Sequence, residues 1–290
     1  MRSISSAAAG LAATCVLLVV APAIAAANVR FHQGFNKNTA GWCDESGSPC
    51  DGVSTGTITR EKSGFSNGGG YGSGIEAAKG RYYARLRTPS EPSCMPGMSG
   101  SQCNGPYSAL GLGFTDAQFP KNGYMTLLSV YLDTGFAATH HDYRFDLESA
   151  INNTSGSYLQ GFDFNAGTTL SSEPTPGFVI GASTNADRSS SFPENPCPSP
   201  SEPPNSCRVP VTITTPGWYT FRHTFRDVGG ALTVTLQILT PSGTTVPGAS
   251  WMITSQNPPS TAGGPALLWF PNQEINELAI DSTLLRSVKK

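Results

Sequence analysis

Residues Trp218 to Leu239 constrain the fold more than any other stretch of this chain. Tyr219, Phe221, His223 and Phe225 alternate with Trp218, Thr220, Arg222, Thr224 and Arg226. After Asp227-Val228-Gly229-Gly230, Leu232, Val234, Leu236 and Ile238 alternate with Thr233, Thr235 and Gln237. Successive side chains of a β-strand point to opposite faces, so a period of two on both sides of a glycine turn predicts a hairpin with one apolar face. Such a face has to be buried against a second layer.

The same period recurs along the chain. Val29 to Trp42 predicts a short strand, a turn and a buried Trp42, and Thr55 to Glu61 and Arg81 to Thr88 predict strands. Gly123 to Asp133 is apolar on both faces, as a central strand is. His140 to Ala150 follows, then Ser157 to Asn165 with Tyr158, Phe162 and Phe164 on one face. Gly177 to Thr184 is a further strand, and Glu274 to Leu285 a closing strand pair. Helical periodicity and fixed-period repeats do not appear. Short strands between Gly and Pro turns predict an all-β fold, a two-sheet antiparallel β-sandwich of the jelly-roll type with disulfide-stapled loops. Ser63 to Gly74 is glycine-rich but matches neither the dinucleotide fingerprint nor a P-loop, so a flexible surface loop is expected. Ser189 to Pro210, rich in Pro and Ser, is expected as a long loop inside one domain.

Arg2, an apolar run from Ala7 to Val20 and A-x-A sites ending at Ala25 or Ala27 form a secretory signal-peptide pattern. Residues 1–26 are therefore expected to be a leader and residues 27–290 a single β-sandwich domain. The protein is expected to be secreted, extracellular or periplasmic, with no membrane insertion after leader cleavage. Cys15 lies in the leader, and the other cysteines fall in close pairs: Cys43 and Cys50, Cys94 and Cys103, Cys197 and Cys207. Six cysteines allow 15 connectivities, and the clustering favours three local bridges. No C-x-x-C spacing suggests zinc. A net charge of −2 gives no electrostatic reason to expect nucleic acid.

Charged residues make up only 13% of the chain, which makes two charged strands conspicuous. In His140 to Ala150, Asp142, Arg144, Asp146 and Glu148 fall on the face opposite Tyr143, Phe145 and Leu147. This ladder is either a solvated strand face or the floor of a binding cleft. Same-face neighbours lie about 7 Å apart. Glycosidases separate their two carboxyl groups by about 5–5.5 Å for retention and about 6.5–9.5 Å for inversion. Asp146 and Glu148 are thus the candidate catalytic pair. Arg144 beside them would hold both ionised, which favours binding or structure over general acid work.

The second charged face is Arg81, Tyr83, Arg85 and Arg87. Arginine binds carboxylates bidentately, so this face would suit a uronate, with Tyr or His removing the C5 proton in a lyase. Alternatively, this strand neighbours the acidic one and the two faces satisfy each other. Trp218 and Arg222 share the outward face of the hairpin, where an indole either stacks on a sugar or simply packs. His223, among aromatics, is expected in the core. Adjacent His140 and His141 either lie in a strand, where they would point to opposite faces and not easily chelate one ion, or sit in the loop before it. H-E-x-x-H does not occur. Asn152-Asn153-Thr154 matches a glycosylation acceptor.

Gly34-Phe35-Asn36 through Gly41-Trp42, together with Leu278-Ala279-Ile280-Asp281, resembles secreted β-jelly-roll carbohydrate-binding modules and laminin-G or concanavalin-like lectin domains. These motifs cover a small part of the chain. The resemblance implies that the first and last strands lie side by side, near a structural calcium with Asp281 and a carbonyl near Phe35 as ligands. Asn36 stands where an acidic residue is common. The acid-x-acid strand is similar to that of jelly-roll glycanases but lacks their full E-x-D-x-x-E run. The expectation is a monomeric protein that engages an extracellular polysaccharide through a concave sheet. It requires no cofactor beyond that calcium. Arg81, Tyr83, Arg85, Asp142, Arg144, Trp218 and Arg222 are its candidate ligand contacts. The alternatives are a glycoside hydrolase using Asp146 and Glu148, a uronate lyase using the Arg/Tyr/His face, and a structural matrix or surface protein.

Overall fold

A computed structural model describes residues 29–44, 56–88, 104–112, 115–185 and 208–289. The expected leader, and the bridges that rest on Cys50, Cys94, Cys103, Cys197 and Cys207, lie outside the described residues.

The strands are β1 (Val29–Gln33), β2 (Thr57–Lys62), β3 (Tyr82–Arg87), β4 (Tyr107–Ser108), β5 (Tyr124–Leu132), β6 (Arg144–Asn153) and β7 (Tyr158–Thr168). They continue as β8 (Phe178–Thr184), β9 (Val211–Ile213), β10 (Gly217–Val228), β11 (Ala231–Leu239), β12 (Thr245–Thr254), β13 (Ala262–Trp269) and β14 (Glu277–Ser287). One helical turn, α1 (Thr134–Ala137), follows β5 and is capped by the Asp133 side chain, which accepts from Phe136 N. No helix among the described residues is long and apolar enough to cross a membrane.

These strands form the two antiparallel sheets of a β-sandwich. The eight-stranded sheet runs β12-β11-β10-β5-β14-β3-β2, with β1 also paired to β14. The six-stranded sheet runs β4-β13-β6-β7-β8-β9. The hairpin expected at Trp218 to Leu239 is β10–β11. Val228 pairs with Ala231, and Gly229 and Gly230 both take positive φ, as a two-residue turn between twisted strands requires.

The core lies where the apolar faces meet. Phe145, Leu147, Phe162 and Phe164 from the six-stranded sheet are fully buried against Leu128, Val130, Phe221 and Phe225 from the eight-stranded one. Phe164 meets Phe221 edge-on at 5.0 Å, and Phe162 meets Phe225 at 5.5 Å. Pairs of this kind contribute about 0.5–1.5 kcal/mol each beyond area burial. His223 sits among them, 4.8 Å from the Phe164 ring, and burial pushes its pKa down to about 3. It is a neutral core residue at ordinary pH.

Several local expectations need correction. The closing strand pair is one strand, β14. The strand expected from His140 starts at Arg144, and His140 and His141 lie in the turn before it. β12 and β13 are additional strands that carry Pro247 and Pro265, residues that count against a strand. β12 is an edge strand, and Pro265 falls at a register irregularity, so neither proline disrupts a regular central ladder. A register shift at the start of β7 places Tyr158 opposite Asn152 on the outer face, whereas Phe162 and Phe164 face inward.

β14 shares one edge between two partners. Its residues 277–280 pair with β3, and residues 283–286 pair with β1. The expected adjacency of first and last strands is present. Ser282, at positive φ, marks the break between the two pairings. Trp42 is buried beside this edge and donates its indole N–H to Thr283 Oγ1 at 3.0 Å.

Candidate functional site

The two charged strands belong to different sheets. Their charged side chains leave the core on opposite sides of the sandwich, so Arg85 and the Asp146/Glu148 pair neither neutralise each other nor share one surface.

On the eight-stranded sheet, Ala84 and Leu86 face the core while Tyr83, Arg85 and Arg87 point outward. Arg85 is nevertheless 0% exposed, because the glycine-rich stretch expected to be a flexible surface loop lies across it. Its guanidinium donates to Glu277 Oε2 at 2.9 Å, to the Tyr71 carbonyl at 2.6 Å and to Tyr83 Oη at 2.9 Å. Arg87 donates to Glu277 Oε1 at 2.8 Å. Burial tends to raise the Glu277 pKa, but the hydrogen bonds from Arg87 and Asn67 and the charge of Arg85 outweigh it, leaving the pKa below the usual carboxylate value. Gly72 N and Asn67 Nδ2 complete the fastening, to Asp133 and Glu277 respectively. Tyr83 and Arg85, both candidate ligand contacts, are consumed in holding this loop. Arg81 stays exposed just before β3.

On the six-stranded sheet, β6 turns Arg144, Asp146 and Glu148 outward. Glu148 pairs with Asp163 of β7, Asp146 pairs with Asn165, and Ser183 of β8 lies opposite Asp163. Asn165 Nδ2 donates to Asp146 Oδ1 at 3.0 Å, and Ser183 Oγ donates to Asn165 Oδ1 at 2.7 Å. Tyr158, brought to this face by the register shift, donates to Glu148 Oε1 at 3.3 Å. The Glu148 carboxyl lies directly over Gly161, where a Cβ would come within 2.3 Å of it.

The segment after β13 runs beside the start of β6 through a bridge between Phe145 and Gln273. It sets Glu274 against Arg144, with Glu274 N donating to the Arg144 carbonyl at 2.7 Å. Asp142, at positive φ in the turn, pairs with Arg144 at 3.1 Å. Burial raises the Glu274 pKa to about 7; Arg144 opposes the shift, and Asp142 and Asp146 add to it. Asp146, Glu148 and Glu274 are 5%, 3% and 2% exposed. This face is a screened polar layer.

Asp281 stands at the break in β14. Its carboxylate accepts from Lys79 N at 2.9 Å and Ser282 N at 2.6 Å. Burial raises its pKa to about 6 against those bonds. The Phe35 carbonyl accepts from Arg60 Nε at 2.8 Å, and Asn36 Oδ1 accepts from Arg81 N. Calcium takes six to eight oxygen ligands. A carboxylate and a carbonyl already engaged by N–H donors do not fit that ion. No group of three or more His, Cys, Asp or Glu among the described residues is arranged to hold a metal.

The outer face of the eight-stranded sheet is open beyond Trp218. This half-buried indole donates to the Glu76 carbonyl at 2.7 Å and packs edge-on against Tyr83 and Tyr131, so it ends the covered region. From there, β10 and β11 present Thr220, Arg222, Thr224, Thr235 and Gln237, β5 presents Leu127, and the second half of β14 presents Leu284 and Arg286, all accessible to solvent. Among the candidate ligand contacts, Trp218 and Arg222 therefore lie together on accessible surface, and Asp142 and Arg144 lie together on the other sheet.

Sequence reasoning missed Asp163, Glu274 and Arg286. Asp163 alternates with Phe162 and Phe164 and was readable from period two. Glu274 carries no periodic signal, because it reaches β6 through a single long-range bridge.

No protein-family model matches the chain, and no curated protein matches it. Among solved structures it is similar to the binding domain of botulinum neurotoxin serotype G, at 9% identity and a TM-score of 0.39. The match covers 90% of this chain and 49% of that one, so the chain spans about half its length. A likeness at that score carries no argument about fold or function.

Proposed function

We propose that the protein is a secreted polysaccharide-binding protein that engages its glycan on the open outer face of the eight-stranded sheet. The supporting observation is the composition of that surface. A half-buried Trp218 at one end adjoins a broad strand face of hydroxyl and amide side chains, with Leu127 and Leu284 between them. Sugar rings offer apolar C–H faces and a dense fringe of hydroxyls, and an aromatic edge beside paired donors and acceptors complements both. An extended face suits a chain-like ligand better than a closed pocket does.

Affinity electrophoresis in gels cast with a panel of soluble polysaccharides tests this reading. At least one glycan should retard the protein, and Trp218→Ala and Thr224→Ala should weaken that retardation. Unretarded migration in every gel would overturn the proposal.

A hydrolytic reading is favoured by one observation: Glu274, with its pKa raised to about 7, lies beside Arg144 and near Asp146. An acid that keeps its proton near neutrality, close to a second carboxylate, is the arrangement glycosidases use. Reducing-end release that disappears in Glu274→Gln and Asp146→Asn would support it, and its absence from the wild-type protein on the same panel would exclude it.

A further inference from the structure

The open face carries positive charge that the fold does not neutralise. Arg30, Arg85, Arg87 and Arg144 each pair with a carboxylate. Arg222, Arg226 and Arg286 make no ion pair among the described residues. Arg222 projects from β10 opposite Leu127 of β5, and Arg286 projects from β14 opposite Met125 of the same strand. They flank β5 on one face, two strand spacings apart, or about 10 Å laterally, with a two-residue offset of about 7 Å along the strand.

Every other outward position of β10, β11, β12, β5 and the second half of β14 is uncharged, apart from Arg226. No carboxylate is among them. Asp227 lies at the far end of β10 and accepts from Gly230 N in the hairpin turn. The whole chain has a net charge of −2, so this local excess does not reflect a generally basic protein.

Both guanidinium groups are incompletely used. Arg222 donates one terminal nitrogen to Gln237 Oε1, while its buried Nε has no hydrogen-bond partner. Arg286 Nε donates to Met125 Sδ at 3.0 Å, a weak acceptor. An orphaned buried N–H is unfavourable, because nothing replaces the hydrogen bond to water that it gave up. Two uncompensated like charges on one sheet face add to that cost, and such local conflicts tend to mark functional surface.

We propose that Arg222 and Arg286, flanking β5, bind the carboxylate or sulfate groups of an acidic polysaccharide. This deepens the polysaccharide reading above and rests on it. A planar guanidinium binds an oxyanion through two parallel hydrogen bonds, and Nη1 of Arg222 and both terminal nitrogens of Arg286 have no hydrogen-bond partner among the described residues. Leu127, Met125 and Leu284 form an apolar floor between the two arginines, against which the C–H faces of the sugar rings pack.

The test compares retention on a polyuronate, a sulfated glycan, a neutral glucan and double-stranded DNA at several salt concentrations. Wild-type protein should be retained on the polyuronate or the sulfated glycan, less so as salt rises, and at least tenfold more strongly than on the glucan or DNA. The Arg222→Gln/Arg286→Gln double variant should lose at least tenfold in affinity with a melting temperature no lower than that of the wild type. If that variant does not fold, Arg222→Lys keeps the charge but removes the fork and should itself weaken retention severalfold. Retention on acidic glycans that survives these changes overturns the site. Retention on the neutral glucan alone overturns this inference and leaves the polysaccharide reading intact, and retention on no glycan overturns both. Equal retention on DNA would mean simple attraction to polyanions and overturns the assignment. The choice between polyuronate and sulfated glycan identifies the anion.

Discussion

β3 and β6 carry the two charged stripes of this chain, and the molecule completes them differently. On β3, Arg85 and Arg87 meet Glu277 of β14, and a glycine-rich loop lies over the pair and gives its backbone carbonyls to Arg85. On β6, Asp146 and Glu148 gain an amide, a phenol and further carboxylates, among them Asp163 opposite Glu148 and Glu274 beside Arg144. Opposite charges close one stripe, and like charges accumulate on the other. A charged stripe in a sequence therefore says that something polar is buried or bound there. Its neighbours decide which, and in both strands they come from distant parts of the chain.

Three substitutions probe this contrast. Arg85→Met should have the largest effect, a loss of about 3–5 kcal/mol, as expected for removing one member of a buried ion pair. Arg87 and Asn67 still hold Glu277, but the Tyr71 and Gly72 carbonyls lose their donor. Urea denaturation gives the stability, and hydrogen exchange across residues 63–80 should show the loop opening. A loop that stays protected would break the account of how β3 is closed.

Glu274→Gln addresses the acidic side through pH. The folded pKa of about 7 lies above the ordinary value of 4.5, so the native state holds this proton more tightly than the unfolded chain. The group's contribution is therefore complete below about pH 4.5 and is lost as pH rises through about 7, on the order of 2 kcal/mol in all. The neutral variant should lack this loss and exceed wild type in stability at pH 8. His223, pushed down to about 3, acts in the opposite sense and loses stability as pH falls from 6.5. The informative quantity is thus the difference between the two proteins across pH 4.5 to 8. Parallel curves would show that Glu274 does not titrate as described.

Arg87→Ala should have the smallest effect, below about 1 kcal/mol, because this guanidinium is partly exposed and Arg85 still neutralises Glu277. A loss as large as that of Arg85→Met would mean that the pair closes the face jointly.

The strands were legible wherever one face is buried and the other polar, because period two then survives in the sequence. It failed at β12 and β13, whose prolines and glycines are tolerated through an edge position and a register irregularity. It failed again at Tyr158, which a register shift of the main chain carries to the other face. The candidate site was readable on single strands: Asp146 and Glu148 from alternation on β6, Trp218 and Arg222 from alternation on β10. What completes each surface was not readable. Arg85 is satisfied partly by backbone carbonyls, which leave no trace in residue identity. Arg286 acquires meaning only once β14 is known to flank β5 opposite β10.

The position of β14 has a consequence for assembly. It lies C-terminal to every other described strand, yet it joins β5 on one edge to β3 and β1 on the other. Until residues 277–287 arrive, the eight-stranded sheet exists as unconnected pieces: the β2–β3 pair, β1, and the ribbon from β5 through β12. A chain emerging from the ribosome cannot form the middle of this sheet before its final strand is released, and the unpaired edges of β3 and β5 stay open to other chains in the interval. Nascent-chain lengths that stop short of Glu277 are thus the ones most in need of protection by a chaperone.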